Sequence, residues 1–249
     1  METIVVWFSC GAASAVAAKK TIEKYGDTHI IRVVNSPIKE EDSDNLRFKS
    51  DVQKWLGIEI ESAINKNYPD CSAVTVWNKR NYMCGIKGAP CTVQLKKEAR
   101  YQWEADNKAD YHVLGFTAEE RGRFDRFKLM ERGNALPILI HLGITKQDCI
   151  SILLEAGIKP PRIYELGYPN ANCIGCVKAT SSTYWNLVRK QHPEVFLERC
   201  EQSRRIGAKL AYYKGKRIFL DELPADAKGR SLKSMNVECG IFCDINKSI

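Results

Sequence analysis

Ten cysteines stand in a chain of 249 residues, and the spacing of four of them suits chemistry. Cys173-Ile174-Gly175-Cys176 points two thiolates at one centre, whether zinc, an iron–sulfur cluster or a disulfide. Cys84 and Cys91 lie on a loop with Gly85, Gly88 and Pro90, which can turn both back onto one ion. Together these four thiolates suffice for a [4Fe–4S] cluster or for tetrahedral zinc. Cys10, Cys71, Cys149 and Cys200 occur singly. Cys149 and Cys200 fall in helical segments, where a cysteine is most often a small buried apolar residue. Cys239 and Cys243 sit in a small, polar stretch beyond Leu223 that reads as a mobile tail.

A second kind of chemistry is offered near the start. Thr3 to Phe8 is a continuous β-branched and aromatic run, the pattern of a parallel strand buried on both faces. It leads into Ser9-Cys10-Gly11-Ala12-Ala13-Ser14, all small, and then into an Ala- and Lys-rich helical stretch from Ala15 to Lys24. A strand feeding a helix through such a turn presents backbone N–H groups and a positive helix end to an anion, usually phosphate. Small side chains let the anion approach the backbone. The glycine spacing is that of neither a Walker loop nor a dinucleotide fingerprint.

The elements that must position these groups alternate between strand and helix. His29–Val34 reads as a second strand ending at Asn35, a candidate ligand contact because ligands sit beyond the carboxyl ends of parallel strands. Lys39–Asp42 reads as a solvated acidic loop. A helix starts at Ser43-Asp44 and runs to Gly57 with Phe48, Val52, Trp55 and Leu56 on one face. Short strands follow at Ile58–Ile60, Tyr111–Phe116 and Asn134–Ile140, and a basic helix starts at Cys91-Thr92 and continues through Lys96, Lys97 and Arg100. Thr117 to Arg123 reads as a polar, basic loop after the fourth strand, where the arginine fork suits phosphate or sulfate. Thr145 with Asp148 caps another helix. Helices through Tyr184–Leu187 and Pro193–Ile206 precede a hairpin at Tyr212–Phe219 with Gly215 at its turn. The fold class expected is α/β, an open, mainly parallel twisted sheet with helices on both faces. A large domain is expected over residues 1–210 and a C-terminal extension over 211–249.

Four short pieces, in order, resemble the phosphoadenosine phosphosulfate (PAPS) reductase family of the adenine nucleotide alpha-hydrolase (PP-loop) superfamily. Ser9, Gly11 and Ser14 match the superfamily's Ser-Gly-Gly-x-Asp-Ser loop, with Cys10 in place of a glycine and Ala13 in place of the aspartate. Gly115, with Arg121 or Arg123, resembles its strand-end Gly-x-Arg segment, which holds phosphate or ribose. Pro161 through Tyr164-Glu165-Leu166-Gly167-Tyr168 to Cys173 and Cys176 is similar to a stretch shared with DNA phosphorothioation sulfur-transfer enzymes. Glu238-Cys239-Gly240-Ile241 resembles the reductases' Glu-Cys-Gly-Leu/Ile-His terminus, with Phe242 in place of the histidine. In the iron–sulfur reductases the first two cluster ligands are adjacent, whereas six residues separate Cys84 from Cys91.

This resemblance implies a nucleotide-binding alpha-hydrolase-like domain contacting an adenine nucleotide or sulfonucleotide through Ser9, Cys10, Gly11, Ala12, Ser14, Asn35, Gly115, Arg121 and Arg123. It implies a [4Fe–4S] cluster on Cys84, Cys91, Cys173 and Cys176, with zinc as the alternative. Cys239 would be the nucleophile, and Cys243 or a thioredoxin-type partner the second thiol. The missing loop aspartate favours a sulfonucleotide reductase over ATP-dependent sulfur transfer to DNA or RNA. The glycine-rich Cys84–Cys91 loop favours the transfer enzyme, and a catalytically silent nucleotide-binding relative is a third reading.

Composition bounds these readings. A net charge of +8 favours an anionic partner, either a nucleotide or a nucleic acid. No run of about eighteen apolar residues suggests a membrane span, and the N-terminus lacks an export pattern. A soluble, cytoplasmic protein with no membrane partner is expected, where clustered cysteines indicate metal or redox chemistry. Monomer and homodimer both stay open.

Overall fold

The computed structural model describes residues 1–85 and 88–232. The chain forms two compact units whose segments interleave. The first comprises Met1–Pro37, Ser43–Ile64 and Ala99–Arg162, and the second Ile38–Asp42, Asn65–Glu98 and the chain from Ile163 onward.

The first unit is built on a five-stranded parallel sheet. β1 (Thr3–Phe8), buried at all six positions, pairs with β2 (Ile30–Asn35) on one side and β4 (Tyr111–Val113) on the other. β3 (Ile60–Ser62) and β5 (Ala135–Leu136) form the edges, giving the order β3-β2-β1-β4-β5. Parallel neighbours need crossovers. α1 (Ala12–Tyr25) joins β1 to β2, and α2 (Asn45–Leu56) joins β2 to β3. Successive β1 side chains alternate between faces: Phe8 stacks on Phe48 of α2 at 6.1 Å. Trp7 meets Trp103 of α5 (Ala99–Asp106) edge-on at 5.7 Å. Helices therefore cover both faces, which is why β1 is apolar without alternation. Ile4, Val5, Val6, Val33 and Val34 are fully buried, each contributing about 1.5–3 kcal/mol.

Several elements differ from their sequence reading. β4 ends at Val113, not Phe116, because Phe116 N–H donates back to Leu114 C=O at 2.8 Å and curls the chain out of the ladder. β3 falls two residues later than Ile58, at Ile60–Ser62. Of the expected fifth strand only Ala135–Leu136 pairs. Pro137 has no N–H for the ladder, and Ile138–His141 coils into α7. A short buried apolar run looks alike in strand and helix. Thr117–Arg123 is not a loop throughout: Thr117 and Glu120 form a capping box, Ala118–Glu120 is a 3-10 turn, and Arg121 opens α6 (Arg121–Met130). The Thr145–Asp148 capping box on α8 (Lys146–Glu155) forms as expected.

The second unit is mostly helical. α3 (Ala73–Arg80), α4 (Pro90–Thr92), a π-helical turn at Val93–Glu98, α9 (Ser182–Gln191) and α10 (Pro193–Ile206) surround a core that includes Trp77, Met83, Val177, Trp185 and Leu210. β6 (Ala211–Tyr213) and β7 (Lys216–Ile218) form the expected antiparallel hairpin. Its turn has Lys214 at φ 45° and Gly215 at φ 81°, the two left-handed residues of a tight hairpin turn. Lys39–Asp42 is not a solvated loop. The Glu40 carboxylate accepts from Ser72 Oγ (2.6 Å) and from the amides of Ala73 (2.8 Å) and Val74 (3.3 Å), and Asp42 is buried. The unsatisfied amides at the start of α3 draw the carboxylate in. No helix among the described residues is long and apolar enough to cross a membrane.

Candidate functional site

The Ser9–Ser14 turn leaves β1 where the strand order reverses between β1 and β4, the place where open parallel sheets form a ligand crevice. Ser14 shapes it. Its Oγ accepts from Ser9 N–H (3.1 Å) and Ser9 Oγ (3.2 Å) and donates to Gly11 C=O (2.9 Å). Cys10 holds a left-handed φ of 54° where the loop pattern has glycine, a strain of about 1–2 kcal/mol for a side-chain-bearing residue. α1 starts at extended Gly11 with no side-chain cap and no acidic residue in its first turn. The positive end of that helix is therefore not neutralised by its own residues.

Asn35, at the end of β2, donates Nδ2–H to Phe8 C=O (2.9 Å) and lies 3.7 Å from Cys10 Sγ. It is buried, so it braces the turn from below. Gly115 closes on the turn from β4: a Cβ there would stand 2.7 Å from Ser14 N and 2.9 Å from Ala13 C. Ser9, Cys10, Gly11, Ala12, Ser14, Asn35 and Gly115 thus come together at the carboxyl ends of three adjacent strands. Arg121 and Arg123 occupy the first turn of α6, a few residues on. Arg121 is exposed, while Arg123 bonds Glu120 and lies over the Phe116 ring at 4.9 Å.

Cys84, Cys91, Cys173 and Cys176 all belong to the second unit and lie in or against its core. The Cys173–Cys176 turn is tightly built. Gly175 takes φ 67°, Cys176 N–H donates to Tyr184 Oη (2.8 Å), and Tyr184 Oη–H donates to Cys173 C=O (3.4 Å). Ile174 N–H donates to Glu40 C=O at 2.9 Å. Arg199 presses on this turn, its Nε 3.4 Å from where a Gly175 Cβ would be. That guanidinium is 2 % exposed and its Nε has no hydrogen-bond partner. Burial, first, pulls the Arg199 pKa down, while Glu40 and Cys173 oppose the shift.

Among the described residues no three His, Cys, Asp or Glu side chains converge to hold an ion. The donor set suits an anionic thiolate-bound group: Cys91, Cys173 and Cys176 are buried in one core with half-buried Cys84 packed against it, and the buried Arg199 guanidinium, whose Nη1 donates to Gln202 Oε1 at 3.0 Å, interacts electrostatically with Cys173. Cys149 and Cys200 are buried on α8 and α10, and burial raises their pKa values to about 12 and about 11. They are packing residues. Cys239 and Cys243 lie outside the described residues.

Sequence reasoning did not single out Glu40 and Arg199 beside the cysteines, or His112 and Arg132 beside Trp7. Their roles come from residues distant in the chain, Glu40 capping a helix that starts more than thirty residues later, so no local signal marks them. No family model matches this chain, and no curated protein sequence matches it.

Proposed function

We propose that this protein is a sulfonucleotide reductase-like enzyme that binds an adenine sulfonucleotide at the Ser9–Ser14 turn. The observation that carries the nucleotide reading is the meeting of that turn, Asn35 and Gly115 at the β1–β4 reversal of a 3-2-1-4-5 parallel sheet. Amides at the start of α1 and the Arg121 guanidinium supply positive charge for phosphate and sulfate.

The redox chemistry rests on the sequence around Cys239. Its thiolate attacks the sulfur of the nucleotide-bound sulfate. An S–S bond forms, the S–O bond to phosphate breaks, and the nucleotide leaves with the electron pair. A second thiolate, from Cys243 or a dithiol protein of the thioredoxin type, then attacks Cys239 Sγ. Sulfite leaves and a disulfide remains, so the two thiols supply the two electrons. Cys84, Cys91, Cys173 and Cys176 would hold a [4Fe–4S] cluster, which when bound supplies an anionic redox-capable centre and ties those loops together.

The β6–β7 hairpin favours a second reading, ATP-dependent sulfur transfer to nucleic acid. Tyr212, Lys214, Lys216 and Arg217 are exposed together there, a combination suited to a phosphate backbone and its bases. Incubation with labelled sulfonucleotide, or with ATP plus DNA or RNA, separates the two. Sulfite release supports the reductase, AMP plus pyrophosphate supports the transferase, and absence of both products sinks both readings.

A further inference from the structure

Arg100, in the first turn of α5, is 2 % exposed, yet its Nε, Nη1 and Nη2 all lack a hydrogen-bond partner. Its Cζ lies 5.2 Å from the centre of the Trp7 ring, on the face of β1 that packs against α5. An unpaired charge is among the costliest groups to bury. Burial lowers the Arg100 pKa only to about 10, with Arg132 adding repulsion and Glu104, Tyr101 and Glu131 opposing the shift from a distance, so the guanidinium stays charged at neutral pH.

The groups around it repeat the imbalance. Arg132 Nη2 donates to both oxygens of Glu104, each at 2.8 Å, so that carboxylate is turned to Arg132 and makes no hydrogen bond to Arg100. Arg132 Nη1 lies 2.6 Å from His112 Nε2, and Trp7 Nε1 lies 3.2 Å from His112 Nδ1. Both neighbours of the imidazole are donors, but a neutral imidazole has only one accepting nitrogen. One of the two contacts therefore lacks an acceptor. Arg32, on the same side of the sheet, is already satisfied by Glu61 (2.7 and 2.5 Å) and Asn107 (2.6 Å). Donors exceed acceptors at one place, beside Trp7, by at least the whole guanidinium of Arg100.

We propose that Arg100, Arg132 and the His112–Trp7 pair form an internal site for a small oxyanion, sulfate or phosphate, on the α5 face of the sheet. Such an anion offers several acceptor oxygens and negative charge in one compact body, matching the five N–H groups of Arg100 and the surplus donor at His112. It offsets the electrostatic repulsion between Arg100 and Arg132. The inference stands on these donors alone and survives if the sulfonucleotide reading fails. The oxyanion is either a free ion or the sulfate or phosphate of a bound nucleotide.

The test follows thermal unfolding and tryptophan fluorescence of the full chain during titration with sodium sulfate or phosphate, ionic strength being held constant with sodium chloride. The wild type is expected to show a saturable rise in melting temperature and a saturable fluorescence change from Trp7. Arg100→Met, which keeps length and removes charge, should lose both responses and melt higher than the wild type in oxyanion-free buffer. Equal saturable responses in the two proteins would overturn the proposal. A second measurement needs no variant. Arg132, after burial, and Arg100 hold down the His112 pKa, so sulfate should raise the titration midpoint of that imidazole in proton NMR. An unmoved midpoint counts against the site as firmly. A nucleotide titration of Arg100→Met identifies the source: weakened affinity assigns the oxyanion to the nucleotide, and unchanged affinity assigns it to a free ion.

Discussion

Gly115 packs backbone to backbone against Ser14: a Cβ at position 115 would lie 2.7 Å from the Ser14 amide nitrogen. Gly115 is not among the residues with left-handed φ, so only this closeness excludes a side chain. Gly115→Ala is expected to push β4 and the start of α1 apart, at a cost of about 1–3 kcal/mol. Thermal unfolding should show the loss, and nucleotide titration should show weaker binding because the turn shifts. Wild-type affinity in a folded Gly115→Ala protein would mean that the nucleotide does not use this turn.

Arg121 and Arg123 divide their roles. Arg123 is engaged by Glu120 and the Phe116 ring, so Arg123→Ala should lower the melting temperature. Arg121 is exposed on the same helical turn. Arg121→Ala should leave stability unchanged and weaken sulfonucleotide binding by roughly 1.5–3 kcal/mol, the worth of a charge-assisted hydrogen bond. Isothermal titration of both variants checks the division, and unchanged affinity in both removes α6 from the phosphate site.

Protein purified without oxygen is expected to contain iron and to absorb broadly in the visible. Cys173→Ser and Cys176→Ser should abolish the colour and destabilise the second unit, because metal-binding free energy is also folding free energy. Metal analysis decides the matter: stoichiometric zinc in a colourless protein would leave four thiolates in place and rule out the cluster.

Asp44 supplies a pH prediction. Arg47 donates Nε–H to its Oδ1 and Nη2–H to its Oδ2, each at 2.7 Å, and Arg162 N–H adds a third bond at 2.8 Å. The Arg47 hydrogen bonds are the main cause of an Asp44 pKa lowered to about 2. A carboxylate with a folded pKa below its unfolded value of about 3.9 stabilises the fold above that value. The contribution disappears as pH falls from about 4 to about 2. Asp44→Asn should therefore unfold more readily than the wild type at pH 7, with the gap closing below pH 3 in urea titrations.

Much of the first unit is legible along the chain because its signals are local. The unbroken apolar run Thr3–Phe8 marks the central strand and Gly57 the end of α2, while Thr145 with Asp148 caps α8. Each depends on residues within one or two turns of one another. Boundaries fail where geometry overrides composition. Phe116 bonds back to Leu114 and leaves the sheet, and Pro137 turns an apolar run from strand to helix.

The sequence by itself determined the small-residue turn, its position after a buried strand, and the Cys-x-x-Cys pair with its glycine. These are properties of consecutive residues. Tertiary structure decided what surrounds them. Gly115 lies against Ser14 because β4 pairs with β1 across more than a hundred residues of chain. Glu40 caps α3 because the chain returns to it, and Arg199 reaches the Cys173–Cys176 turn because α10 packs there. Nor could composition distinguish Arg100 from any other helical arginine. Packing around Trp7 buries it, and burial makes its unmatched charge physically consequential.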